Sequence, residues 1–102
     1  MMKIAMLFVF VLGVCLFAAQ PTAAADQRQG QQIYELHCEA CHGVGGNAIE
    51  PGMPRFADGD SLFLMDQDLL RRIREGKDTM PAYRGLLSDE EIRDVIAYLR
   101  TL

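Results

Sequence analysis

After residue 26, apolar residues recur at helical spacing in three places, and nowhere do they alternate as a half-buried strand requires. The first stretch runs from about Gln27 to Ala40, with Ile33, Tyr34 and Leu36 supplying apolar contacts. The second begins near Asp66, read as its N-cap, carries Leu69, Leu70 and Ile73, and stops at Gly76. The third is the best defined. Ser88-Asp89-Glu90-Glu91 matches a capping box, and its acidic residues suit the positive end of a helix dipole. Ile92, Val95, Ile96, Leu99 and Leu102 then form one apolar stripe, with Arg93 and Arg100 off it, as expected of a core-facing helix. Gly43 to Gly59 holds five glycines with Pro51 and Pro54, so it predicts irregular chain. Lys77 to Leu87 contains Met80-Pro81, and a residue before proline is pushed toward an extended conformation. The pattern predicts an all-α chain whose two long loops can present ligands.

The start of the chain follows a different pattern. Lys3 is the sole charge before Asp26, Ile4 to Phe17 is apolar except for Gly13, and Ala23-Ala24-Ala25 offers the small residues that a signal peptidase reads. Residues 1–25 are therefore expected to be a signal peptide cleaved after Ala25, with 26–102 as one domain. An uncleaved anchor is the alternative, but the apolar run of 16 residues to Ala19 is short of a usual span. Cys15 does not mark a lipoprotein site, because the bulky Val14 precedes it and the apolar run continues past it.

Removing the leader leaves 77 residues with nine basic and fourteen acidic side chains, a net charge of −5. That balance excludes nucleic acid and anionic membrane surfaces as natural partners. So short a chain needs a staple in the form of disulfides, a metal or a cofactor. Once Cys15 leaves with the leader, only Cys38 and Cys41 remain, and a bridge between them would close a tiny loop and constrain little.

The run Leu36-His37-Cys38-Glu39-Ala40-Cys41-His42-Gly43 explains those thiols better as an attachment point. On a helix, residues three apart share a face, so both sulfurs can reach the two vinyl groups on one haem edge and form thioethers. His42 follows at once and brings an imidazole beneath the iron. Cys-x-x-Cys-His is a covalent haem attachment signature, and one copy just after a leader is a strong instance. A thioredoxin-like dithiol would need a βαβ pattern, which is missing from the sequence. Structural zinc would need four ligands, and His37 adjoins Cys38 too closely to complete a tetrahedron with the others.

The segments GQQIYELHCEACHG and TMPAYRGLLSDEEIRDVIAYL resemble the small bacterial class I (monohaem) c-type cytochromes, over about Gly30 to Leu102. The resemblance implies a small cytochrome c fold, three to four helices wrapped around one covalent haem c. It also implies that the first and last helices cross, with Gly30 and Tyr34 facing Ile96 and Leu99. Met80 matches the family's second axial ligand, opposite His42, and thioether sulfur is a soft donor that raises the potential. Met53 also precedes a proline and stays open as an alternative; Met65 reads as core packing. In the family a proline carbonyl accepts the second N–H of the histidine, and Pro54 is the choice here, with Pro51 nearly as well placed. Arg55 and Arg84 are candidates to pair with haem propionates, and His37 reads as an exposed bystander. The Arg71, Arg72 and Arg74 cluster reads as a solvated helix face.

The function implied is a soluble periplasmic single-electron carrier, not an enzyme, with no stable membrane insertion after leader removal. It would work as a monomer that docks transiently on redox protein donors and acceptors. A haem-bearing subunit of a periplasmic oxidoreductase complex is the alternative, and an iron left five-coordinate for gas or peroxide chemistry is a third reading.

Overall fold

The computed structural model describes residues 24–102, so the expected leader lies outside it except for Ala24 and Ala25. The described chain is helical: α1 (Gln27–His37), α2 (Glu39–His42), α3 (Asp66–Glu75) and α4 (Asp89–Leu99), with short 3-10 turns at Val44–Gly46 and Phe56–Asp58. Among the described residues there is no β-strand, only isolated bridges between Lys77 and Met80 and between Arg84 and Leu87. The expected all-α architecture is the one found. No helix among the described residues is long and apolar enough to cross a membrane.

Two of the three long helices start on a side-chain cap. The Asp26 carboxylate accepts from the Arg28 and Gln29 N–H groups and caps α1. The Ser88 capping box closes reciprocally, with Glu91 N–H donating to Ser88 Oγ (3.1 Å) and Ser88 N–H to Glu91 Oε1 (3.0 Å). At α3 the expected cap is displaced by one residue. Met65 holds the N-cap position with no side-chain bond, and Asp66 is the first helical residue. The Asp66 carboxylate is drawn off by Arg100, which donates to it from Nη2 at 2.7 Å and Nε at 3.0 Å. Met65 is 71% exposed, which corrects its reading as core.

The expected first helix also divides. Cys38, at φ −117°, interrupts it, and α2 begins at Glu39. In an unbroken helix the His37 carbonyl would accept from Cys41 N–H. Here the Tyr83 hydroxyl donates to that carbonyl at 2.9 Å, and Cys41 N–H turns to Cys38 O at 3.2 Å.

The core is where α1 crosses α4. Tyr34, Ile92 and Ile96 are essentially sealed from solvent, with Ile33, Val95 and Leu99 around them and Leu69 and Leu70 of α3 closing one side. The crossing is as expected, but its register is not that of Ile96. Gly30 lies over the backbone of Asp94 and Val95, and a Cβ there would sit 1.9 Å from the Asp94 carbonyl oxygen. Tyr34 meets Tyr98, with ring centroids 5.3 Å apart.

Backbone meets backbone at Gly30, so no side-chain shift can relieve an added methyl. Gly30→Ala should cost about 3 kcal/mol or more in urea unfolding. Gly59→Ala, at a left-handed position (φ 85°) with open space around it, should cost only ~1–2 kcal/mol.

Candidate haem site

The Cys-x-x-Cys-His run occupies the corner between α1 and the following loop. Cys38 is the hinge and Cys41 and His42 are on α2, whose single turn is closed by His42 N–H donating to Cys38 O at 2.9 Å. Both thiols are free; Cys38 is half-buried and Cys41 exposed. Burial pushes the Cys38 thiol up to about 11, and the neighbouring Cys41 adds to the shift. Neither sulfur is committed to a disulfide or to a metal cluster among the described residues.

His42 is half-buried, and its ring lies against Phe56 with centroids 4.9 Å apart. Burial lowers its pKa, which favours the neutral imidazole, the form that can bind a metal. Its Nδ1 is buried without a hydrogen-bond partner, so neither Pro51 nor Pro54 supplies the expected acceptor here. A buried nitrogen left unpaired is uncommon in a finished protein. Pro54 is nevertheless on the segment that leads to Phe56 and so to His42. Together with Met53, Phe63 and Arg72 it walls an open hollow of about 600 Å³ that Cys38, Cys41, His42 and Met80 do not line.

Met80 is half-buried in a tight turn, with its N–H donating to Lys77 O (2.9 Å) and its carbonyl accepting from Lys77 N–H (3.1 Å). The turn continues along the end of α3, where Tyr83 N–H donates to Ile73 O and Arg84 N–H to Arg74 O, both at 3.1 Å. Gly76 makes this approach possible: at φ 72°, a Cβ there would lie 2.6 Å from the Met80 carbonyl oxygen. Tyr83 then ties the loop to the attachment corner through His37 O. His37 is not the exposed bystander expected, because its ring edge also faces Tyr83. Tyr34 holds the other side of the corner by donating its hydroxyl to Gly43 O. These two tyrosines are the positioning residues that sequence reasoning missed. The one signal was the aromatic two places after Pro81.

Arg55 is engaged with the protein itself, donating to Asp58 Oδ2 (2.7 Å) and to Ala48 O (3.0 Å). It pins the loop that carries Phe56. The donor set fits a covalently held haem: two unbridged thiols, an imidazole in its neutral form with an unpaired nitrogen, and a thioether on a loop bonded back to the same corner.

Comparisons with known proteins agree. The family model described as "Cytochrome C oxidase, cbb3-type, subunit III" matches residues 25–99. Cytochrome c6 of Gracilaria tenuistipitata var. liui is 37% identical, covering 92% of this chain and 91% of that protein. Cytochrome c6 of Picosynechococcus is 31% identical, covering 97% and 92%. The crystal structure of cytochrome c6 from the diatom Phaeodactylum tricornutum superposes with a TM-score of 0.54 at 32% identity, covering 74% of this chain and 92% of that one. The chain belongs to the c-type cytochrome family, as a small monohaem class I member. Within that family its likeness to cytochrome c6 extends over nearly the whole length of both chains.

Tyr34→Phe keeps the ring and removes the donor to Gly43, and should cost roughly 1 kcal/mol in urea unfolding. Burial raises the Tyr34 phenol from 10.0 to about 12, with the Gly46 backbone pulling weakly the other way. The protonated phenol therefore contributes stability that is fully present below pH 10.0 and lost as pH rises through about 12. Wild-type stability should fall across that window, and Tyr34→Phe should flatten that part of the fall.

Proposed function

We propose that the protein is an exported single-electron carrier in which Cys38 and Cys41 bind haem c through thioethers and His42 and Met80 are the axial ligands. The observation that carries the proposal is the corner at residues 38–42, where one turn of chain presents two unbridged thiols and a half-buried neutral imidazole. When bound, haem supplies an iron that changes oxidation state by one electron.

The chain's own residues do the rest. Two covalent bonds prevent loss of the group after export. His42, braced by Phe56, has one ring nitrogen for iron and the other, now unpaired, for a backbone acceptor, a role we assign to the Pro54 carbonyl. Met80 would supply the second ligand from the chain, so that no position would be left for a substrate. It also favours the reduced ion, because thioether sulfur is a soft donor. The leader and the cysteine pair support a periplasmic destination. The carrier would dock on redox proteins through a small, transient contact and work as a monomer.

The family model's description favours a second reading, a haem-bearing subunit of an oxidase complex. The relatives that the chain matches over nearly their whole length favour the free carrier. Purification from the periplasm separates them: a carrier elutes at its own mass, and a subunit elutes with larger partners.

Met80→Ala should leave covalent haem in place but convert the ferric spectrum to high spin and admit carbon monoxide rapidly to the reduced protein. Axial ligands span about 0.8 V across haem proteins, so the potential should drop by on the order of 0.1 V. An unchanged spectrum and potential would assign the ligand elsewhere, and Met53→Ala is the next variant to measure. Replacing both Cys38 and Cys41 with alanine should yield protein from which acid–acetone extracts the haem.

A further inference from the structure

A carboxylate taken out of water needs a compensating partner, and a cation is the strongest. Among the described residues Asp94 is the one charged side chain that is buried, 7% exposed. No Lys, Arg or His of the described residues pairs with it. Its partner is a main-chain nitrogen: Asp26 N–H donates to Asp94 Oδ1 at 2.7 Å, across 68 residues of sequence. The geometry is built from both sides. Gly30 brings α1 down onto the Asp94 backbone, and the Asp26 side chain is occupied in capping α1, so the nitrogen of Asp26 is the atom left to face α4. That nitrogen belongs to the residue which the leader pattern places first after cleavage.

We propose that Asp94 is a receptor for the α-ammonium group created when the leader is removed after Ala25. Cleavage is a hydrolysis. Water adds to the Ala25 carbonyl, the Ala25–Asp26 C–N bond breaks, Ala25 leaves as a carboxylate and Asp26 keeps its nitrogen as an ammonium ion. Before cleavage the nitrogen offers Asp94 one neutral N–H. Afterwards it offers a full positive charge at a place already within hydrogen-bond distance, so no rearrangement is needed. A positive charge at the start of a helix opposes the helix dipole, and the buried carboxylate offsets that as well. Processing thereby tightens the contact of α1 on α4, and the far end of α1 is the corner that carries Cys38 and His42. The inference rests on removal of the leader and is independent of which residues ligate iron.

The test uses holoprotein exported and matured in a competent host. Intact mass should place the amino terminus at Asp26; a terminus at any other residue overturns the proposal. A second form carries Gly-Ser inserted between Ala25 and Asp26, so that cleavage leaves an amide at Asp26. Its Tm should be lower by roughly 5–10 °C. In an Asp94→Asn background the two amino-terminal forms should agree to within about 2 °C. Equal Tm values in the wild-type background, or an equal difference in both backgrounds, would refute the ion pair. Should Asp94→Asn not mature, the carboxyl carbon resonance of Asp94 in the unsubstituted protein decides. It should move between the two forms while those of Asp66 and Asp89 stay fixed, and a static Asp94 signal defeats the proposal.

Discussion

The contact on which the rest of this structure depends is the backbone-to-backbone approach of α1 to α4 at Gly30. With no side chain between them, the two helices come close enough for Tyr34 to bury its ring against Tyr98 and for Ile33 to join the α4 stripe. The apolar area sealed there is the main source of stability in a domain with few other buried residues. It also aims α1. Because the helix is pinned near its start and along its inner face, its last residue falls at a fixed place, and the Cys-x-x-Cys-His corner begins there.

The corner is then shaped by side chains that reach backbone carbonyls far away in sequence. Tyr34 takes Gly43 O from within the core, and Tyr83 takes His37 O from the Met80 loop. Arg100 does the same for the stretch before α3, donating to Leu62 O at 2.7 Å and Leu64 O at 2.9 Å while holding Asp66. Each bond ties an irregular segment to a helix, and for Tyr34 the entropic expense is small because the ring is already fixed by its own packing. A protein of this size cannot bury its loops, so it anchors them.

Elements whose signals are local were legible from sequence. The Ser88 capping box, the apolar stripe of α4 and the stop of α3 at Gly76 each depend on residues within one or two turns, and each stands as expected. The cysteine–histidine run was legible for the same reason: its chemistry requires fixed spacing. Elements whose outcome depends on a distant competitor were misjudged. The first helix was expected to reach Ala40, and Tyr83, 46 residues from His37, takes the carbonyl that would have carried it on. Asp66 was expected to cap α3, but Arg100, 34 residues away, draws off its carboxylate. Met65 was assigned to the core and lies in solvent, since one apolar residue at a helix start has no periodicity to fix its face.

The sequence by itself determined the helical class and the spacing of Cys38, Cys41 and His42 on which the proposed haem attachment rests, because these are written in contiguous residues and fixed intervals. Only the tertiary structure decided that Gly30 rides on Asp94, that the Met80 loop is bound to the attachment corner through Tyr83, and that the Asp26 nitrogen meets a buried carboxylate. Such contacts join positions tens of residues apart. Their identity is set by how two helices come to rest against each other, which no local pattern records.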